Sequence, residues 1–319
     1  MALQTPTSYA GWVHLAEARL VNILEVRIAA NIRQLEAKIS ESGPADKRPQ
    51  PHIVQVALKN LIGQGQVKIL YAKREAKGPD TRFYTLAQHY PEPARKRVAQ
   101  LMVPYRVFRM LANTEEYCAA VLEDIVRASF GTDSRYAFTG KLPTDRPLDA
   151  TYVFDKSRIG VEVKNHREWI YPMTGEVWQM IAKCLALDAL PVLVAREIGY
   201  LTRAVFAQLG IMGFAFHRQV FHPDVAHLLV DIQHTARLGY KDVIAMPAEP
   251  YGPLCVFIQS ALPATLGANR TKWAQRRPLL EEFAITRNLG SKNMKDTDRQ
   301  EHRAEFMGAL FGHAVEEQY

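Results

Sequence analysis

The sequence predicts an α/β protein: a helical N-terminal module, a core with a central mixed sheet, and a mostly helical C-terminal extension. Three observations lead to this prediction. Apolar residues recur at helical spacing near the N-terminus, and two short strand patterns follow them. Between residues 134 and 216 the pattern changes to three strands and then helix, strand, helix and strand. The rest of the chain shows short helical patterns and a polar final helix near 296–316.

Composition places the chain among globular proteins. Its 319 residues allow one large domain or two to three ordinary ones, and 48% of them are hydrophobic. No apolar run reaches the length of a membrane span, and the N-terminal residues lack the features of a signal peptide. Three widely spaced cysteines indicate neither a disulfide framework nor a zinc site. We therefore expect a cytoplasmic protein without a membrane partner.

The net charge is unevenly distributed along the chain. Residues 1–100 hold 15 Lys and Arg against 8 Asp and Glu, whereas residues 101–319 hold 25 of each. The whole net charge of +7 therefore belongs to the first third of the chain. A basic module attached to a neutral remainder indicates a domain that binds a polyanion such as nucleic acid. The alternative is a solvated basic surface.

The N-terminal module, residues 1–90, is predicted to contain helices followed by a hairpin. One long helix, or two with a short break, covers 10–42, and a compact helix over 51–62 ends at Gly63. Strands over 67–71 and 81–86 flank a polar, basic loop. This order resembles a winged helix-turn-helix domain, in which one helix enters the DNA major groove and the wing touches the backbone.

The resemblance implies a set of nucleic-acid contacts. The candidate groove helix carries Gln55 and Lys59, and the wing carries Lys73 and Arg74. Such side chains reach base edges or phosphates. Winged-helix domains also serve as protein-docking modules, and that alternative stays open. A linker helix is predicted over 91–112, with a kink or break at Pro104.

The core, residues 113–222, is predicted to hold a first helix capped by Thr114, a meander of three strands, and two strands reached by helical crossovers. The predicted helices cover 115–129, 174–188 and 199–209, and the predicted strands cover 134–142, 149–154, 159–164, 191–195 and 211–216. Residues 223–319 are assigned to the C-terminal extension.

The candidate catalytic residues lie where the second and third of these strands are expected to form a hairpin. Side chains of a strand alternate between its faces, so Glu162 and Lys164 point the same way while Val163 points into the core. Hairpin geometry then brings Asp149 near Glu162. Two carboxylates this close repel each other unless a cation neutralises them. A hard divalent ion such as Mg²⁺ takes oxygen ligands of this kind, and the backbone carbonyl of Val163 is a candidate further ligand.

Asp149 followed by Glu162-Val163-Lys164 resembles the PD-(D/E)XK motif of restriction-endonuclease-like nucleases and Holliday junction resolvases. The resemblance covers residues 113–218, and the order of elements fits as well as the motif. It implies that Asp149 and Glu162 bind the metal and that Lys164 assists catalysis. Pro147 stands two residues before Asp149 rather than next to it, which departs from the strict pattern.

The same family implies two further site residues. Many members add an acidic residue from the first core helix, for which Glu116 is the first choice and Glu123 the second. Some use a Gln in the helix after the Lys strand, where Gln179 has a suitable place.

The triplet by itself decides little, because Glu-x-Lys also occurs as Glu36-Ala-Lys38 in a helical pattern and as Glu75-Ala-Lys77 in a polar hairpin. Only Glu162-Val163-Lys164 lies on an apolar strand with an Asp upstream. The alternative is an ordinary strand, with Asp149 as a turn residue.

The segment that follows Lys164 is rich in groups that contact phosphate or stack on bases. Asn165, His166 and Arg167 are therefore candidate nucleic-acid contacts. His166 is either a second proton-transfer group or a residue at the rim of the site.

These observations predict a Mg²⁺-dependent endonuclease that cleaves DNA by metal-activated water, with Mn²⁺ able to substitute. Restriction, antiphage defence, recombination and repair are the roles that the family suggests. RNA is a weaker candidate substrate. Double-strand cleavage by one active site per chain favours a homodimer, and a need for partner proteins of a defence system stays open. The competing prediction is a non-catalytic winged-helix DNA-binding regulator or adaptor with an inert nuclease-like domain.

Overall fold

The structure is a computed structural model, which describes residues 6, 8–41, 48–73, 80–140, 147–291 and 293–312. The chain divides into two compact units, Met1–Asn113 with Val225–Val243 and Thr114–Asp224 with Ile244–Tyr319. The predicted C-terminal extension is therefore divided between the two units. None of the helices in the described ranges combines the length and the hydropathy that crossing a membrane requires.

The described elements largely follow the predicted order. The helices are α1 (Tyr9–Arg27), α2 (Ile32–Ile39), α3 (Pro51–Gly63), α4 (Glu92–Ala112), α5 (Ala119–Phe130), α6 (Gly175–Ala186), α7 (Tyr200–Leu209), α8 (Ala226–Gln233), α9 (Gly252–Val256), α10 (Leu262–Glu281) and α11 (Asp296–Phe311). The strands are β1 (Ala30–Asn31), β2 (Val67–Ala72), β3 (Thr81–Leu86), β4 (Ala137–Phe138), β5 (Ala150–Phe154), β6 (Ser157–Lys164), β7 (Leu190–Ala195), β8 (Met212–Ala215), β9 (Gln219–Phe221) and β10 (Val243–Ala245).

The first helical pattern, over 10–42, resolves into two helices, α1 and α2, with β1 between them. Helix α2 restarts at a capping box: Gln34 N donates to Asn31 Oδ1 at 3.0 Å, and Asn31 N donates to Gln34 Oε1 at 3.1 Å. Ala30 and Asn31 meanwhile pair with β3. The break that the sequence left open is therefore real, because the residues between the helices serve as a strand and a cap.

The three-stranded sheet of the first unit is antiparallel, in the order β1-β3-β2. One core cluster joins it to α1, α2 and α3, and a second joins Leu70 and Phe83 to α4. Helix α4 runs on through Pro104, so of the predicted kink or break the break does not occur. A proline removes only one intrahelical hydrogen bond. Buried Leu101 and Phe108 hold the helix on either side of it.

The segment Val225–Val243 belongs to the first unit because buried polar groups fasten it there. The Arg27 guanidinium donates to the carbonyl oxygens of Thr235, Arg237 and Leu238. Gln34 donates to the last two as well, at 3.1 and 3.2 Å. Arg27 and Leu238 are 211 residues apart in the chain. No local pattern in the sequence indicates such a contact.

The sheet of the second unit has five strands in the order β4-β5-β6-β7-β8. Strands β4, β5 and β6 are antiparallel, whereas β6, β7 and β8 are parallel, with α6 and α7 as the connections. The predicted meander, crossovers and mixed sheet are confirmed. All six residues of β7 are buried, which explains its uninterrupted apolar sequence.

Two boundaries in this unit differ from the prediction. The first core helix begins at Ala119, because residues 114–118 form a separate turn closed on the carbonyl of Thr114. The carbonyl of Cys118 accepts a hydrogen bond from Asn165 Nδ2 at 2.6 Å. The strand expected over 134–142 is only Ala137–Phe138 in the described residues, and both of its side chains are exposed.

Candidate active site

A tight hairpin joins β5 and β6 and sets the register of the candidate site. Its two turn residues, Asp155 and Lys156, have φ of 46° and 60°. Positive φ at both positions is the type I′ geometry that matches the twist of paired strands. Ala150 lies opposite Val161. Asp149, one residue before β5, therefore lies level with Glu162 across the hairpin.

The side chain of Asp149 adds one more hydrogen bond to the pairing between β5 and β6. The backbone N–H of Val163 donates to Asp149 Oδ2 at 2.6 Å. Because the N–H and C=O of a strand residue point to the same side, the carbonyl of Val163 also faces the Asp149 side. The Val163 side chain is buried in the core, as the alternation along the strand predicts.

The carboxylate of Glu162 is held by two ammonium groups from different elements. Glu162 is only 4% exposed. Lys164 Nζ, on the same strand, lies 2.7 Å from Glu162 Oε1. Lys183 Nζ, on α6, lies 3.1 Å from Oε1 and 3.0 Å from Oε2. Both oxygens of this buried carboxylate therefore have a cationic partner.

The surroundings of Asp149 and of Lys164 raise the pKa values of both groups. Burial, and then the neighbouring Glu162, raise the pKa of Asp149 despite the opposing effect of Lys164, the Val163 N–H and Lys183. Burial by itself lowers the pKa of Lys164, but Glu162 and Asp149 outweigh it, so the pKa of Lys164 is raised. Lys164 therefore stays protonated at neutral pH, whereas the charged form of Asp149 is disfavoured relative to that of an exposed carboxyl.

A histidine and a further acid border the site. His166 Nε2 lies 3.2 Å from Glu176 Oε1, and His166 Nδ1 lies 3.5 Å from Glu168 Oε2. Glu176 occupies the first turn of α6 and contributes to the raised pKa of Lys164. His166 thus lies between Glu168 and Glu176, beside the site, and not between Asp149 and Glu162.

The structure places Asn165 and Arg167 in the interior. The Asn165 amide donates to the carbonyls of Cys118 and Val220 and accepts from Val220 N, so it acts as a strand partner. Arg167 is 4% exposed, and its carbonyl accepts a hydrogen bond from Arg196 Nη2 at 2.6 Å. The Asn165 side chain thus supports the backbone after β6, the Arg167 side chain is buried, and neither is displayed at the surface for nucleic acid.

Gln179 contacts a loop, and the two acidic candidates lie in or just before α5. Gln179 Nε2 donates to the carbonyl of Gly290 at 2.8 Å, so its amide fastens a loop. Glu116 is exposed in the turn before α5, and Glu123 is partly buried on α5. Besides Glu162 and Asp149, Glu176 is an acidic residue near Lys164 that raises the pKa of this lysine.

The described nucleic-acid candidates of the first unit are on its surface. Gln55 and Lys59 are exposed on α3, and Gln55 Nε2 also donates to Glu36 Oε1 at 3.1 Å. Exposed Lys73 lines a groove of about 540 Å³ between β2 and α4, together with Arg95 and Arg106. Arg74 lies outside the described residues.

Lys183 and Glu176 are the site residues that the sequence did not single out. A signal for them exists, because Glu176, Gln179 and Lys183 recur at intervals of three and four residues. Residues at this spacing form one stripe of a helix. The family resemblance favoured the middle member of the stripe, whereas the structure brings the other two to Glu162 and Lys164.

Gly160 shapes the strand beneath the site, because a Cβ there would lie 2.6 Å from Leu148 Cδ1 and 2.9 Å from Cys184 Sγ. Leu148 immediately precedes Asp149, so this close packing positions the residues that lead into β5. We expect Gly160→Ala to destabilise the protein by about 1–3 kcal/mol through overpacking, measured by urea unfolding.

Gly267→Ala is the matched control for Gly160→Ala, because its Cβ would meet no atom within 4 Å in the middle of α10. It should be neutral or stabilise by up to about 1 kcal/mol, since Ala favours helix over Gly. Equal stabilities of Gly160→Ala and the wild type would contradict the close approach of Leu148.

The second unit is thus an α/β unit with two carboxylates and two lysines at the end of a central strand. Comparison of the chain with protein-family models, with curated proteins and with solved structures finds no match. Within the described ranges, no group of three or more His, Cys, Asp or Glu side chains is suited to hold a metal ion. The oxygen atoms that this site offers belong to two carboxylates and a backbone carbonyl.

Proposed function

We propose that this chain is a divalent-metal-dependent nuclease of the PD-(D/E)XK type that hydrolyses phosphodiester bonds of DNA. One observation carries the proposal: Asp149, Glu162 and Lys164 converge where β5 begins and β6 ends. The order of strands and helices around them, with a meander followed by two parallel crossovers, supports the same assignment.

The residues present fit a hard divalent cation. Asp149, Glu162 and the Val163 carbonyl offer oxygen atoms, which suit Mg²⁺ and allow Mn²⁺ to substitute. The raised pKa of Asp149 reflects burial beside a second carboxylate, a strain that a cation relieves. When bound, the metal would lower the pKa of a water molecule and polarise a phosphoryl oxygen.

Lys164 suits an electrostatic role better than that of a general base. Its raised pKa keeps the ammonium protonated at neutral pH. An ammonium aimed at the scissile phosphate stabilises the negative charge that develops on the phosphoryl oxygens. Lys164 is also only 21% exposed, so little water screens it.

The first unit supplies a surface for the substrate. Its order α1-β1-α2-α3-β2-β3 supports the winged-helix assignment, and the whole net charge of the chain derives from residues 1–100. Exposed Gln55 and Lys59 lie on the helix before the hairpin, and Lys73, Arg95 and Arg106 line the groove. We propose that these residues contact DNA, in a restriction or antiphage system or in recombination and repair.

The test is incubation of supercoiled plasmid with the full chain in Mg²⁺, in Mn²⁺ or in EDTA, beside RNA of matched length. We expect nicked or linear DNA with either metal and none with EDTA. Glu162→Gln should lower the cleavage rate by about 10²–10³-fold, because it removes a charged metal ligand. Glu249→Gln, at an exposed residue outside the site, should leave the rate unchanged.

The regulator or adaptor alternative predicts a different result in this assay. The two lysines on Glu162 neutralise the carboxylates internally, as an inert site would. DNA binding by the wild type without nicking in either metal would favour it. Preferential cleavage of RNA would retain the site and change the substrate.

A further inference from the structure

Lys183 faces both carboxylate oxygens of Glu162. Its Nζ is nearly equidistant from the two carboxylate oxygens, at 3.1 Å from Oε1 and 3.0 Å from Oε2. An ammonium in this position faces both oxygens, as a cation bound in a bidentate manner does. Lys164 contacts one oxygen from the same strand. Of these two lysines, Lys183 is therefore the direct competitor of a metal at Glu162.

The fold holds Lys183 at this place without making it rigid. The helix that carries it buries an apolar stripe formed by Val177, Trp178, Met180, Ile181, Cys184 and Leu185. The Lys183 side chain is 17% exposed. A lysine with a long flexible stem and a route to water is able to move its charged end away from the carboxylate.

The charges of the site explain why a movable cation matters. Asp149 and Glu162 carry two negative charges, and Lys164 and Lys183 carry two positive ones, so the four groups are neutral together. A divalent cation that binds beside both ammonium groups is repelled by them at short range. If Lys183 leaves, the remaining three groups carry a net charge of −1 and attract the cation.

We propose that Lys183 is a tethered counter-ion: it holds Glu162 when no divalent cation is bound, yields to the cation, and then contacts a phosphate of the substrate. This inference rests on the proposed metal-dependent function and adds a residue to it. The two roles of Lys183 have opposite effects, because the same ammonium opposes metal binding and assists the anionic substrate. A merely structural lysine would not show that combination.

Titration calorimetry of the DNA-free full chain with MnCl₂ and MgCl₂ measures the first role. Lys183→Met should tighten metal binding by about tenfold, equivalent to about 1.4 kcal/mol, because it removes a competitor and a positive charge. Lys183→Arg keeps the charge and should not tighten binding. Lys272→Met, at an exposed lysine on α10, is the matched control and should bind metal as the wild type does.

Plasmid cleavage at saturating metal measures the second role. Lys183→Met should lower the rate by about 10²-fold, as the loss of one charge-stabilising donor does, and Lys183→Arg should restore part of it. Thermal melting of each variant confirms that it is folded. A folded Lys183→Met protein that binds metal more tightly and cleaves more slowly than the wild type supports the proposal.

The failures of the two proposals are distinguishable. Wild type and Lys183→Met with equal metal affinity, in a chain that cleaves with metal, would overturn the counter-ion role and leave the nuclease intact. Tighter metal binding with undiminished cleavage would overturn the phosphate contact. Absence of metal binding by the wild type and by Lys183→Met would overturn the proposed function, and the inference with it.

Discussion

Asp149→Asn should abolish metal-dependent cleavage and at the same time make the protein more stable. The amide oxygen still accepts the hydrogen bond of Val163 N–H, so the hairpin keeps its geometry. The charged metal ligand is lost, and we expect the cleavage rate to fall by about 10³-fold or more. Removal of a buried, repelled carboxylate should raise the free energy of unfolding by about 1 kcal/mol and Tm by about 2–4 °C.

The pH dependence of that stability gain follows from the raised pKa of Asp149. A carboxyl whose pKa is raised by folding binds its proton more tightly in the folded state. The free energy of unfolding therefore falls as pH rises from the ordinary pKa to the raised one. The gain of Asp149→Asn over the wild type should therefore be full at pH values above the raised pKa. It should shrink as pH falls through the raised pKa and vanish below the ordinary value of 3.8.

Thermal melts of both proteins across this pH range, beside plasmid cleavage, check the prediction. Asp231→Asn, at an exposed residue on α8, serves as the control and should change neither property. An inactive but destabilised Asp149→Asn would indicate a structural carboxylate. A stabilised variant with full activity would remove Asp149 from the proposed site.

Glu162→Ala should produce the largest loss of stability at the site. The change leaves the ammonium groups of Lys164 and Lys183 without their carboxylate, although they are only 21% and 17% exposed. Loss of one partner from a buried ion pair costs about 3–5 kcal/mol, and we expect about 3 kcal/mol because both lysines reach some water. Urea unfolding followed by tryptophan fluorescence measures it, since Trp178 and Trp273 are buried in this unit.

A triple replacement separates the charge effect from the loss of packing. Glu162→Ala combined with Lys164→Met and Lys183→Met should regain most of the lost stability, because an apolar cluster often replaces a buried ionic one without net cost. Glu281→Ala removes an exposed partner of Arg277 and should change the free energy of unfolding by less than about 1 kcal/mol. A Glu162→Ala protein as stable as this control would contradict the buried pairing.

Local sequence patterns were sufficient to predict those elements whose form depends on residues close together in the chain. The uninterrupted apolar run of β7 and the alternation in β6 identify strands, since each reflects burial on one or both faces of a sheet. The sequence places a turn over 155–158, between two strand patterns, and the structure shortens it to Asp155 and Lys156. Hairpin geometry then sets Asp149 beside Glu162, which is why the first part of the site could be read from sequence.

Local patterns were insufficient where a residue's role depends on a distant partner. The helix expected from residue 115 starts at Ala119 because residues 114–118 form a separate turn, whose last carbonyl, that of Cys118, bonds Asn165, 47 residues away. The same contact makes Asn165 an interior side chain rather than a surface one. Pro104 remains within α4 because tertiary packing holds both sides of the helix.

The sequence by itself determined the class of the fold, the basic first third of the chain and the hairpin that unites Asp149, Glu162 and Lys164. These features depend on periodicity and on a two-residue turn, which are local properties. Only the tertiary structure decided that Lys183 faces Glu162, that Gln179 holds a loop, and that Val225–Val243 belongs with the first unit. Each of these outcomes depends on which helix face meets which partner, and that is set by the packing of the whole unit.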